Sequence, residues 1–178
     1  MNRIWGNASV VLICLALSVS VGALAEEKHK FSFKAPPGAT KYTESHVLDV
    51  GDRPGHQLRI AELVSRYPGE APQFAGVKAR EVWTRLVSDY TEGSGSAFSY
   101  QIYMMETGDR IFARSEILMR TAVGPDGLRV SSFTTVQTLT GGTGRFKGIR
   151  GTLRSGGFTD FKTGTTGTQT DGEYWFEN

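Results

Sequence analysis

Apolar and polar residues alternate along most of this chain with a period of two residues. In the run 56–67, Leu58, Ile60, Glu62 and Val64 fall on one side, and the residues between them fall on the other. Successive side chains of a β-strand point to opposite faces of a sheet, so this alternation is typical of strands with one buried face. The pattern predicts a strand that ends where a Pro-Gly pair follows.

The same alternation recurs in seven further runs, at 77–90, 97–106, 110–123, 128–139, 149–155, 158–162 and 172–177. Turn sequences rich in glycine and aspartate separate several of them. No run carries an apolar stripe at helical spacing. We therefore predict an all-β domain over 56–178, an eight-stranded antiparallel closed β-barrel that leaves no strand edge exposed. A two-sheet sandwich is the alternative that this pattern leaves open.

The first 25 residues have the three-part pattern of a secretory signal peptide. Arg3 precedes an uncharged apolar run that is shorter than the ~20 residues needed to cross a bilayer. We predict a signal peptide at 1–25, followed by an N-terminal arm or lead-in at 26–55. The mature protein is then soluble, secreted or periplasmic, with no integral membrane segment after cleavage. Cys14 is the one cysteine, so the mature fold relies on no disulfide.

The length and charge of the chain exclude some classes of function. The chain has 178 residues, enough for one domain, with 20 Lys and Arg against 18 Asp and Glu. This balance provides no basic stripe, so we do not expect a nucleic-acid partner. His29, His46 and His56 are far apart in sequence and none has a partner at metal-ligand spacing, so we predict no metal. No cofactor is expected.

Residues 141–151, GGTGRFKGIRG, are the densest glycine segment of the chain. A phosphate-binding loop would need a Gly-Lys-Ser/Thr sequence and a following helix, and both are missing. We favour a barrel corner over a ligand loop, with glycines that allow close backbone approach and Phe146 as a plug at the barrel end. A second glycine-containing stretch, TGTTGTQT at 163–170, is interpreted as a mobile loop.

The GGTGRFKGIRG segment resembles the GGxGxF segment of the allene oxide cyclase barrels, and plant dirigent proteins carry a closely similar stretch. The resemblance extends upstream through an aromatic-rich strand at 98–105 and the Gly108-Asp109 turn, and it covers roughly 57–155. It implies a calycin-like, eight-stranded antiparallel barrel with an apolar cavity, here in an exported member of bacterial type. It also implies a homotrimer. The related proteins confine fatty-acid epoxides or phenoxy radicals in one reactive conformation.

Glu62 is the candidate catalytic residue. It shares a strand face with apolar side chains, and a carboxyl group in an apolar cavity acquires a raised pKa, which suits general acid–base catalysis. The resembled cyclases use a glutamate on the first barrel strand in a Glu-x-Asn arrangement. Glu62-Leu63-Val64 keeps the glutamate without the asparagine, and Ile117 falls near the place of a functional tyrosine. The alternative is that Glu62 pairs with Arg85 and braces the barrel.

A small hydrophobic ligand, lipid-like or polyketide-like, is the expected partner, bound in the barrel interior. A cofactor-independent cyclase or isomerase activity is left open, and a non-catalytic structural or protein-interaction barrel with a filled core is the alternative. A void above about 300 Å³ would distinguish the two. The predicted ligand-binding residues are Leu58, Ile60, Val64, Trp83, Phe98, Tyr100 and Ile117.

Overall fold

The computed structural model describes residues 26–125, 127–160 and 165–177, so the signal peptide predicted at 1–25 lies outside the described residues. An all-β fold, as predicted, is confirmed. No helix in the described ranges has the length and apolar character to cross a membrane. The described strands are β1 (His29–Ala35), β2 (Thr40–Asp49), β3 (His56–Arg66), β4 (Gln73–Phe74), β5 (Val77–Thr91), β6 (Ser94–Met105), β7 (Arg110–Val123), β8 (Arg129–Gly142), β9 (Ile149–Asp160) and β10 (Thr165–Phe176).

The strands form one antiparallel sheet in the order β1-β10-β9-β8-β7-β6-β5-β3-β2, and the short β4 pairs with β5 outside this path. The predicted number of eight strands is wrong, since the described residues form ten. Closure is also missing from their strand pairing, because β1 and β2, at the two ends of the order, do not pair with each other. Two prolines and a glycine separate β1 from β2, and proline has no N–H with which to continue a ladder.

The sheet curls around one of its faces. Residues paired across neighbouring strands point to the same side, and Ile117 pairs with Ala97 on β6 and Thr135 on β8. We call the face that carries these three side chains the inner face, and the opposite one the outer face. The rings of Phe33 on β1 and Tyr67 after β3 meet edge to face at 5.2 Å. The β1 end of the strand order therefore contacts the segment that follows β3, the strand next to β2 at the other end.

One end of the inner face is filled with apolar side chains, and we call it the packed end. Phe74 and Phe146 are fully buried there. The ring of Phe74 stacks on Phe31 at 4.8 Å and meets Tyr103 and Tyr174 edge-on, each at 5.3 Å. The other members of the cluster are Val77, Ala79, Val82, Met105, Ile111, Ala113, Leu139, Ile149 and Leu153. Burying each large apolar side chain contributes about 1.5–3 kcal/mol, so this end anchors the fold.

The glycine segment 141–151 lies at the packed end and behaves as predicted for a corner. Gly148 has a φ of +77°, in the region that favours glycine. A Cβ at Gly142 would lie 2.7 Å from the carbonyl oxygens of Arg110 and Phe146. Glycine therefore lets the β8–β9 connection approach β7 closely, and a short 3-10 turn places the Phe146 ring in the core. Phe146 is therefore buried as expected, in the core of a sheet whose strand pairing does not close into a barrel.

Two segments predicted as irregular are strands. Residues 26–55, predicted as a lead-in, contain β1 and β2. Their charged residues obscured the alternation of β1, in which Phe31 and Phe33 point inward between outward-pointing polar residues. Of the predicted mobile loop at 163–170, residues 165–170 belong to β10, where threonine suits a pleated strand. Residues 163–164 lie outside the described residues.

Candidate functional site

A cavity of about 540 Å³ occupies the inner face next to the packed end. Much of its wall is aromatic or aliphatic, with Tyr67, Leu86, Ile117, Met119 and Phe133 among its residues. These side chains come from β5, β7, β8 and the segment after β3, and each belongs to the inward-pointing set of its strand. Serine and threonine side chains, such as Ser131, Thr135 and Ser155, lie between these larger residues in the wall.

Hydroxyl groups in the cavity wall satisfy each other across neighbouring strands. Ser155 and Thr170 are hydrogen-bonded at 2.9 Å, and Thr40 and Ser65 at 2.7 Å. Each pair joins two strands that are already paired by backbone hydrogen bonds. The wall is therefore polar at these points without carrying charge, and it suits a mainly apolar ligand.

A hydrogen-bonded network of one phenol and two amide side chains lies in the cavity wall. The Tyr103 hydroxyl donates to Gln137 Oε1 at 2.9 Å, and Gln137 Nε2 donates to Gln101 Oε1. Burial strongly raises the pKa of Tyr103, and it also raises the pKa of Tyr67 and of Tyr90. These phenols stay protonated at neutral pH, so they act as hydrogen-bond donors and not as bases.

Arg59 is the one charged residue among the described residues that line the cavity. Its guanidinium lies over the ring of Tyr42, 5.7 Å from the centroid. It is directly opposite Ser88 in the pairing of β3 with β5, so the two side chains lie side by side on the inner face. The positive charge of Arg59 also lowers the pKa of Tyr90 against the larger effect of burial.

Glu62 does not line the cavity. Its side chain is on the outer face, where Oε2 lies 2.8 Å from Arg85 Nη2 and Oε1 accepts a hydrogen bond from Thr43 at 2.9 Å. The guanidinium of Arg85 in turn lies 5.4 Å from the ring centroid of Trp83. The expected position of Glu62 in the cavity wall is therefore wrong, and the bracing pair with Arg85 is present on the outside of the sheet.

Of the predicted ligand-binding residues, Ile117 alone lies among the cavity-lining residues that the structure describes. The other six point to the outer face, with Tyr100 64% and Ile60 63% exposed. The assignment failed because both faces of β3 and β6 carry apolar residues, and the more hydrophobic set was taken as the inner one. The six outer-face residues are Leu58, Ile60, Val64, Trp83, Phe98 and Tyr100.

A charged cluster lies at the far end of β3 from the packed end. His56 Nδ1 is hydrogen-bonded to Asp52, and Nε2 is 2.8 Å from Asp89 Oδ1. The hydrogen bond to Asp52, followed by the one to Asp89, raises the pKa of His56 against the opposing effect of burial. The same contact with His56 lowers the pKa of Asp52. This cluster ties the β2–β3 turn to β5.

The described ranges contain no group of three or more His, Cys, Asp or Glu side chains arranged to hold a metal ion. The uncharged donors of the cavity are likewise unlike a metal-binding set, since divalent ions prefer carboxylate, imidazole or thiolate ligands. Comparison with known proteins gives no match to a family model, a curated protein or a solved structure. The cavity is therefore the feature of the molecule that bears on its function.

Arg59, Ser88 and Gln137 line the cavity but are not among the site residues predicted from the sequence. Arg59 falls in the alternate set of β3, with Ala61 and Leu63, which is the set that faces the cavity. This set mixes charged, small and apolar side chains, so hydropathy did not identify it as the inner set.

Proposed function

We propose that this chain is a binding protein that holds a small hydrophobic molecule, lipid-like or polyketide-like, against the inner face of its sheet. The observation that carries this proposal is the cavity of about 540 Å³, because ligand pockets of proteins measure roughly 300–1,000 Å³. Phe33, Leu86, Met119 and Phe133 supply its apolar surface. A void of this size disfavours the filled-core alternative.

Within this proposal the sheet is a barrel-type container of the allene oxide cyclase and dirigent-like kind. Two local features support it: the corner formed by 141–151 and the contact of Phe33 on β1 with Tyr67 after β3. The pattern at 1–25 supports export to the periplasm or the outside of the cell.

The chemistry that the cavity supports is confinement. Holding a flexible apolar molecule in one conformation removes the entropic part of a reaction barrier. A cofactor-independent cyclisation or isomerisation of the bound molecule is therefore part of the proposal, and the hydrogen-bonded network of Tyr103 and Gln137 is a polar part of the wall. Glu62 is outside the cavity and takes no part in this scheme.

A pair of adjacent substitutions on β8 tests the proposal. Thr135 points into the cavity, whereas Thr134 points to solvent. Wild-type protein is titrated with the neutral apolar probe N-phenyl-1-naphthylamine, and its fluorescence is followed. We expect saturable binding that Thr135→Trp weakens by at least about tenfold, because the indole fills the void, while Thr134→Trp binds like the wild type.

Two results would contradict the proposal. One is wild-type protein with no saturable binding, and the other is equal binding by the two tryptophan variants. Circular dichroism checks that both variants are folded. If Thr135→Trp is unfolded, the smaller Thr135→Leu replaces it, with Thr134→Leu as its matched control, and the same difference is expected.

A second candidate function, self-association as a homotrimer, is favoured by apolar side chains on the outer face. Ile60 is 63%, Phe98 50% and Leu118 64% exposed, and exposed apolar patches mark interaction surfaces. Sedimentation equilibrium measures the outcome: we expect a trimer for the wild type and a monomer for Phe98→Asp. A monomeric wild type at all concentrations would contradict this function and leave the cavity proposal untouched.

A further inference from the structure

The cavity wall contains a buried serine hydroxyl that a purely apolar ligand would leave without a hydrogen bond. Ser88 is 2% exposed, and its Oγ has no hydrogen-bond partner among the described residues. A buried polar group without a partner destabilises a protein, because its lost hydrogen bonds to water are not replaced. Other wall hydroxyls, such as Ser155 and Thr170, satisfy each other. An unsatisfied hydroxyl in a cavity wall therefore points to a group that arrives with the ligand.

The neighbour of Ser88 across the strand pair is the guanidinium-bearing Arg59. Arg59 forms no ion pair with any carboxylate of the described residues, and its guanidinium lies over the ring of Tyr42. Arg59 is half-buried, and an anion beside it would offset the cost of its partial removal from water. Within the described residues, the cavity wall thus places a cation without a counter-charge beside a hydroxyl without a partner.

The phenols of Tyr42 and Tyr90 lie near the same point. Tyr90 is two residues beyond Ser88 in the inward-pointing set of β5, the guanidinium of Arg59 lies over the ring of Tyr42, and all of these residues line the cavity. Guanidinium and hydroxyl donors together match the oxygens of a carboxylate or a related oxyanion. Elsewhere in the wall, Ile117 and Phe133 supply uncharged, apolar surface.

We propose that Arg59 and Ser88 form an anion subsite in the cavity, so that the ligand is an amphiphile with one anionic oxygen-bearing group and an apolar body. This inference rests on the proposed function, because it specifies the ligand of the same cavity. The anionic group contacts the Arg59 guanidinium and the Ser88 hydroxyl, and the apolar body extends along β7 and β8 towards the packed end.

The test compares dansyl-undecanoic acid with its methyl ester, which keeps the apolar body and lacks the charge. We expect wild-type protein to bind the acid at least about tenfold more tightly than the ester. Arg59→Gln should weaken acid binding much more than ester binding and so remove this preference, and Ser88→Ala should reduce acid affinity by a smaller factor. Arg59→Lys, which keeps the charge, should retain much of the preference. Arg114→Gln, at an exposed outer-face arginine on β7, is the matched control.

The outcomes separate the two proposals. Equal binding of acid and ester by wild-type protein overturns the anion subsite and supports the apolar cavity. Equal loss of acid and ester on Arg59→Gln also overturns the subsite, because it assigns Arg59 a structural role. If neither probe binds to the wild type, both proposals fail. If the acid binds more tightly than the ester, probes of the same chain length that carry a sulfate or a phosphate in place of the carboxylate rank the anionic groups by affinity.

Discussion

The two ends of the inner face use the same curled sheet for different purposes. At the packed end, Phe74, Phe146 and Leu139 are fully buried in one apolar cluster. Farther along, serine, threonine and glutamine side chains stand among apolar ones on the inner face, and a cavity of about 540 Å³ remains. Polar side chains at inward-pointing positions therefore distinguish the cavity wall from the core in this fold.

The largest expected effect comes from a substitution in the packed end. Phe74→Ala should lower the free energy of unfolding by about 3–5 kcal/mol, because the ring contacts three other aromatic rings and leaves a void when removed. Phe158→Ala is the control, since this side chain is 51% exposed. Urea denaturation measures both variants. A similar loss for the two variants would mean that the cluster around Phe74 does not anchor the fold.

A smaller effect is expected at the glycine corner. Gly142→Ala should destabilise the protein by about 1–3 kcal/mol, since its methyl group would press against two carbonyl oxygens. At Gly69 a Cβ meets no atom within 4 Å, so Gly69→Ala serves as the control. Equal unfolding midpoints for the two alanine variants would contradict the close approach of the β8–β9 connection to β7.

The far end of β3 should show a pH dependence that the packed end lacks. The pKa of His56 is raised above 6.5, so its contribution to stability is complete below pH 6.5 and is lost as the pH rises through the raised pKa. The pKa of Asp52 is lowered below 3.8, so its contribution is present above pH 3.8 and is lost as the pH falls through the lowered value. The stabilisation by this cluster is therefore greatest between pH 3.8 and pH 6.5.

His56→Gln measures this contribution. The difference in Tm between wild type and variant should be largest between pH 3.8 and 6.5, and it should shrink at higher pH. We expect a smaller effect than at the glycine corner because the cluster lies near the surface. His46→Gln, at an exposed histidine on β2, is the control. A difference that grows with rising pH would contradict the assigned sign.

The smallest effect should come from the outer face. Glu62→Gln removes a partly exposed ion pair with Arg85 and should change the free energy of unfolding by about 0–1 kcal/mol. Ligand binding should be unchanged, because Glu62 does not line the cavity. Denaturation and probe titration on one sample check both statements. Loss of probe binding by Glu62→Gln at unchanged stability would contradict the position of Glu62 outside the cavity.

The sequence predicted the all-β fold and the burial of Phe146 because each depends on local pattern: alternation for the strands, and glycines around one aromatic residue for the corner. It could not predict which face of β3 turns inward, because Ile60 and Leu63 on opposite faces are both apolar. That choice is made by the curl of the whole sheet. The anion subsite was missed for the same reason, since Arg59 and Ser88 meet only through the pairing of β3 with β5.

Intermolecular nuclear Overhauser effects from a bound apolar probe to methyl groups test the central claim most directly. Ile117 and Leu118 are neighbours in sequence; Ile117 lines the cavity, and Leu118 is 64% exposed on the outer face. We expect contacts from the probe to the methyl groups of Ile117 and Met119 and none to those of Leu118. Contacts to Leu118 without contacts to Ile117 would contradict binding inside the curled sheet.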